Sequence, residues 1–291
     1  VFKLATSTTE NILIALSSDE DNALYVFQYY VAQNKRLQSA WHKWTYGTST
    51  SDKILNIDFI ENTLFIVNER SDGVYLETID VSPALTDTGE SYLTHLDRKL
   101  NNTQITESYN AGTNQTTITL PYAINNTMKV VGRSGASNKA GQEIATVSQS
   151  GTSIIVSGDI TAQNFFIGEQ YEFEFQFSQQ FLQVADSGGS RVSVKEGRLQ
   201  IRNWSVSFND TGFFTTEVTP VGRSTSNSTF TGTVVGSGLT GTVNLEDGDF
   251  TFAVQSENDK LTVKIKNNSH LPSNFINASW QGFYVTASQR I

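Results

Sequence analysis

Apolar and polar positions alternate with a period of two along most of this chain, in short runs separated by polar turn residues. Ile12–Leu16 is followed by the acidic turn Ser17–Asn22 and then by Ala23–Val31, whose aromatics alternate. Further runs are Leu37–Trp44, Ile54–Ile60, Thr63–Asn68 and Val74–Ile79, broken at Gly47–Asp52, at Glu61-Asn62 and at Ser71-Asp72-Gly73. Successive strand side chains point to opposite faces, so this spacing predicts antiparallel meanders. Four such strands in roughly 40 to 50 residues resemble one blade of a β-propeller.

Residues 84 to about 115 are poor in apolar residues and rich in Asn, Thr and charge, the composition of a loop. Strand patterns resume at Gln115–Pro121, Asn126–Val131, Glu143–Val147 and Ser153–Val156, among closely spaced glycines. Tyr171–Phe177 has the strictest alternation, with Tyr171, Phe173, Phe175 and Phe177 on one face and Glu172, Glu174 and Gln176 on the other. It predicts a half-buried antiparallel strand whose aromatics line a core. Val192–Asn209 and Phe213–Val218 continue the style around the turn Asn209-Asp210-Thr211-Gly212. Ser228–Val235, Gly241–Leu245, Phe250–Val254, Leu261–Asn267 and Ser279–Ala287 follow, and no amphipathic helix longer than about two turns stands out. The expected class is all-β. Residues 1–83 read as a propeller-blade-like sheet, 84–125 as an Asn/Thr-rich loop or insertion, and 126–291 as β-sandwich or barrel-type structure.

Composition agrees. Phe (18), Tyr (10) and Gly (21) are plentiful and Pro is scarce (4), which suits pleated sheets joined by tight turns. The chain has no cysteine, which excludes disulfides, thiolate metal sites and a cysteine nucleophile. It fits folding in a reducing cytoplasm. No apolar run approaches the roughly 18 residues of a membrane-spanning helix, so no membrane anchor is expected. The first residue is Val1, so a processed or truncated product is expected. The formal charge of −9 argues against a sequence-reading DNA binder, although not against a surface that DNA must pass without sticking.

Candidate chemistry is sparse. His42, His95 and His270 lie far apart and form no metal-ligand spacing. Glu172 and Glu174 share a strand face about 7 Å apart, compatible with an inverting glycosidase pair, yet every acidic alternating strand meets that test. The run Glu246-Asp247-Gly248-Asp249 offers oxygen ligands without the spacing of a calcium loop, and a hairpin turn accounts for it. No catalytic, cofactor or metal residue emerges. An enzyme is not expected.

One resemblance is visible in the order of several segments. Gly168–Phe177 (GEQYEFEFQF), Gly197–Trp204 (GRLQIRNW), Ser207–Phe214 (SFNDTGFF) and Thr219–Arg223 (TPVGR) come first. Phe230–Val235, Asn268–Phe275 (NSHLPSNF), Ala278–Tyr284 (ASWQGFY) and Ser288–Ile291 (SQRI) complete the C-terminal set, and Leu37–Trp44 (LQSAWHKW) belongs to the N-terminal side. Together they resemble the C-terminal part of the tail tubular protein B family, the tail nozzle of short-tailed bacteriophages. The resemblance covers roughly residues 10 to 80 and 140 to 291.

That resemblance implies a structural virion protein, assembled in the host cytoplasm and located in the tail. The nozzle would be a homo-hexamer below the adaptor ring (tail tubular protein A), near the tail fibres, around the channel through which double-stranded DNA is ejected. Six copies of a −9 chain give a ring charge on the order of −54, which repels phosphates. Segments 84–115 and 132–141 are the candidate gate loops. From their chemistry, Trp41 and Trp44 offer large apolar areas to anchor a blade or subunit contact, and Arg198 and Arg202 either pair across strands with acidic neighbours or remain solvated strand charges. The resemblance carries over no catalytic residue. The competing reading is a tail-associated glycan-binding or glycan-degrading protein, which needs an exposed aromatic groove.

Overall fold

Period-two alternation buries one side of a strand only if the backbone is pleated and another layer covers that side. The computed structural model describes residues 3–7, 9–32, 35–47, 52–82, 85–135, 140–185, 188–194, 196–232 and 243–286. Among them the chain forms antiparallel strands and one short 3-10 turn. It divides into two compact units, one of residues 1–91, 98–130 and 144–169, the other of residues 92–97, 131–143 and 170–291.

The first unit opens with β1 (Lys3–Thr6), β2 (Ile12–Leu16), β3 (Ala23–Ala32) and β4 (Lys35–Thr45), a four-stranded meander in chain order. β5 (Lys53–Ile60), β6 (Thr63–Arg70) and β7 (Gly73–Asp80) form a three-stranded one. Their inward residues, Ile12, Ile14, Leu16, Leu24 and Val26 with Ile57, Leu64 and Ile66, share one core against which Trp44 and Phe59 pack. Residues 3–80 thus form two antiparallel meanders packed on one shared core.

The segment expected as a loop at 84–125 is strand-bearing. β8 (Asp97–Asn101) runs into a 3-10 turn capped by the Asn101 side chain, followed by β9 (Thr106–Asn110) and β10 (Gln115–Thr119). The chain continues through β11 (Met128–Gly132), β12 (Glu143–Ile144), β13 (Thr146–Ser150), β14 (Ser153–Ser157) and β15 (Phe165–Glu169). These make two four-stranded sheets, in the orders β13-β14-β10-β9 and β12-β11-β15-β8. Ile118, Met128, Val130, Ile154, Phe165 and Ile167 form their core. The composition argument failed at the polar strands β8 and β9, which pair with β15 and β10; on β10 Thr116 is buried, and its hydroxyl donates to the Gly158 carbonyl (2.7 Å) and accepts from the Ile160 amide (3.2 Å).

The second unit contains β16 (Phe173–Gln176), the isolated hairpin β17 (Leu182–Ala185) and β18 (Arg191–Val194), and β19 (Arg198–Thr211). Then come β20 (Phe213–Pro220), β21 (Ser226–Thr231), β22 (Glu246–Glu257), β23 (Leu261–Asn267) and β24 (Asn274–Val285). The sheets run β16-β23-β20-β21 and β22-β19-β24, with Trp204, Phe208, Phe214, Val218, Phe252 and Ile265 in their core. Phe214 is fully buried and touches the rings of Phe208, Phe230, Phe250 and Phe275. Sheets rather than a closed barrel make up the described residues.

Two expectations are corrected here. Glu246–Asp249 is not a turn but the start of β22, paired with β19. The Asp247 carboxylate accepts the Asp210 amide (2.8 Å), holding the tight connection where Asp210 adopts a φ of 45°. The aromatics of Tyr171–Phe177 do not line a core as a set. Phe173 and Phe175 sit on an edge strand and stay exposed, Phe173 stacking on Phe275 and Phe175 meeting the ring of Phe177, which packs against the core. The strand expected at Ser228–Val235 ends at Thr231, and its residues 233–235 lie outside the described residues, as do 241–242 of the Gly241–Leu245 run.

Candidate functional surfaces and a buried ion network

The acidic face of β16 is occupied. Lys264 and Lys266 lie across from it on β23; Lys264 Nζ is 2.9 Å from Glu174 Oε1, and Lys266 Nζ is 3.2 Å from Glu174 and from Glu217 and 3.8 Å from Glu172. The lysine hydrogen bonds hold the Glu174 carboxyl below its ordinary value of 4.5, and those carboxylates hold Lys266 above 10.5. A carboxylate so neutralised is a cross-strand ladder component rather than a proton donor, so the glycosidase geometry weighed for Glu172 and Glu174 finds no support.

Trp41 is exposed (61%) and its ring lies 4.9 Å from Phe27 on the β3–β4 ribbon. Trp44, on the alternate face of β4, packs onto the first core. Arg198 pairs with Glu257 across β19 and β22, whereas Arg202 sits exposed at the β19 bulge.

The histidines separate into two settings. His42 is partly covered beside Trp44, and burial pulls its pKa below the ordinary value. In the second unit the His95 amide donates to the His270 carbonyl (2.9 Å) and its Nδ1 meets the Tyr171 hydroxyl at 2.8 Å. His270 is buried, with Nε2 2.8 Å from the Gly141 carbonyl. The two residues therefore fasten segments 92–97 and 131–143 onto the second unit. Among the described residues no group of three His, Asp or Glu side chains has metal-binding geometry.

A buried charged constellation was not foreseen. Along β6 the buried face carries Leu64 and Ile66, then Asn68 and Arg70, so an apolar stripe turns polar without leaving the interior. The Arg70 guanidinium lies 2.9 Å from Glu77 on β7. Arg98, at the start of β8, reaches Glu77 (3.7 Å) and Glu169 at the end of β15 (3.2 Å). Arg70, Arg98 and Glu169 side chains are 2%, 5% and 4% exposed. The Arg98 guanidinium stacks over Tyr122 (3.7 Å) and Tyr75 (5.0 Å), and the Tyr122 hydroxyl donates to its carbonyl (2.7 Å). Burial raises the Tyr122 phenol pKa above its ordinary range, opposed by the nearby Arg98 charge. Asn68 and Asn126 amides donate to Glu77 (3.3 Å) and Glu169 (3.1 Å). Two arginines and two glutamates thus join the core of β1–β7 to that of β8–β15 within one unit. No local motif announces it, since its members come from four separate strands.

The family model described as "Bacteriophage nozzle protein" matches residues 1–291. A similar curated protein is "Tail tubular protein gp12" of Escherichia phage T7, 25% identical over 305 residues that take in all of this chain and 37% of the relative. The chain therefore spans little more than a third of that relative's length.

Proposed function

The chain belongs to the bacteriophage nozzle protein family, and we propose on that footing that it is a wall segment of the distal tail conduit through which DNA leaves the particle. A structural role in the phage tail follows from the family; the observation carrying the finer reading is that the family match runs the whole length of an acidic chain. About six copies around a channel would present a strongly negative wall. Phosphates would be held off at short range, and DNA would slide instead of binding.

Assembly with the tail adaptor and the fibres, in the host cytoplasm, belongs to the same proposal. Opening is a population shift between narrowed and open channel states. Because strands fill much of 84–115, the exposed turn Ala111–Asn114 between β9 and β10 is the part of that segment best suited to a gate. Residues 136–139 of the other gate segment lie outside the described residues.

The test is native mass by light scattering, with negative-stain imaging, on the whole protein that carries this chain. Rings of about six copies are expected. A strict monomer that releases reducing sugar from bacterial polysaccharide would overturn the reading in favour of a glycan enzyme.

A further inference from the structure

The distal half of the β3–β4 ribbon extends past β2 and forms one side of a groove of about 340 Å³ in the first unit. Cross-strand register fixes its floor. Tyr30 faces Gln38, and Gln28 faces Ala40, so four same-face side chains lie together, and the small Ala40 leaves a hollow beside Gln28. Glu10 and Asn11 close the far side. Tyr30 is 57% exposed.

These polar groups have little to do elsewhere in the fold. Glu10 accepts a long bond from Asn62 (3.4 Å); the side chains of Asn11, Gln28, Tyr30 and Gln38 make no hydrogen bond within the described residues. Each amide offers two donors and an acceptor, and the phenol offers one of each. The described lining includes the Glu10 carboxylate, so a phosphate or carboxylate ligand would meet a like charge there. A purely apolar ligand would strip water from three amides and a carboxylate. A ligand rich in hydroxyls and able to lay a C–H face on an aromatic ring satisfies the amides, the phenol and the ring together.

We propose that this groove is a binding site for a neutral saccharide, with Tyr30 as the stacking platform and Gln28, Gln38, Asn11 and Glu10 as hydroxyl partners. The site does not depend on the conduit reading, and it binds without cleaving: it holds one carboxylate, where glycoside hydrolysis uses two.

Saturation-transfer NMR on the intact chain, with maltose, cellobiose and N,N′-diacetylchitobiose as probes, tests it. At least one disaccharide should bind with millimolar affinity, and Tyr30→Ala should weaken it roughly tenfold with an unchanged melting temperature. Gln38→Ala should weaken binding too, and glucuronic acid should bind less well than glucose. The proposal fails if no neutral disaccharide shows transfer, or if binding survives both substitutions. It fails equally if a neutral extended peptide competes as well as the sugar, which would assign the groove to a protein strand.

Discussion

Arg98 is the residue whose removal tells most about what holds the first unit together. Arg98→Met keeps an unbranched side chain while deleting two ion pairs, the stacking of the guanidinium on Tyr75 and Tyr122, and a hydrogen bond to the Ala123 carbonyl (3.4 Å). The loss does not fall evenly. Glu77 keeps Arg70 and Asn68, but Glu169, 4% exposed, keeps only the Asn126 amide from this network. A buried charge left without its partner costs about 3–5 kcal/mol. The Coulomb attraction itself is not the measure, because its gain was already offset by desolvating both ions. The double variant Arg98→Met/Glu169→Met removes the stranded charge along with its partner and should recover at least half of that loss. Urea unfolding followed by hydrogen exchange in β8 and β15 reads both numbers, with Lys43→Met as the control, since its pair with Glu20 is exposed on both sides and should not move the midpoint. A double variant as unstable as the sum of the two single ones would refute the reasoning. So would an Arg98→Met variant indistinguishable from the control.

Exposure in the second unit predicts a sharp contrast between two phenylalanines. Phe214→Ala should cost about 3–5 kcal/mol, whereas Phe175→Ser, at a 49% exposed edge position, should cost under about 1 kcal/mol by the same denaturation assay. The lysine–glutamate ladder fixes a pH window. Glu174 is depressed, so its contribution is full above its unfolded value near 4.5 and is lost as pH falls through the folded one. Lys266 is raised, so its contribution is full below about 10.5 and is lost as pH rises through the folded value. The melting temperature of the second unit should therefore show a plateau between these limits that Lys266→Met lowers, and added salt should shrink the difference.

Strand content was legible residue by residue wherever one face is buried. Ile12–Leu16, Ile54–Ile60 and Leu261–Asn267 appear at their expected positions because alternation records burial on one side. The same rule failed at Phe173 and Phe175. Their alternation is as strict as any in the chain, yet whether an aromatic face meets a core depends on a facing sheet built from residues much later in sequence. It failed in the opposite sense at Asp97–Asn101 and Thr106–Asn110, whose polar composition reads as loop although they pair as strands with β15 and β10. The groove beside Tyr30 escaped notice because Glu10, Gln28 and Gln38 are unremarkable until a hairpin register sets them side by side.

The sequence by itself determined the all-β class, the absence of cysteine chemistry, the acidic balance and the family, since each rests on local pattern or on the order of segments. Tertiary structure alone decided that Arg70, Glu77, Arg98 and Glu169 form one network, that the acidic run at 246–249 is a strand, and which aromatics remain in water. The physical reason is common to all three. Hydrogen-bonded register and burial are set by partners distant along the chain, and a side chain's own neighbours in sequence carry no record of them.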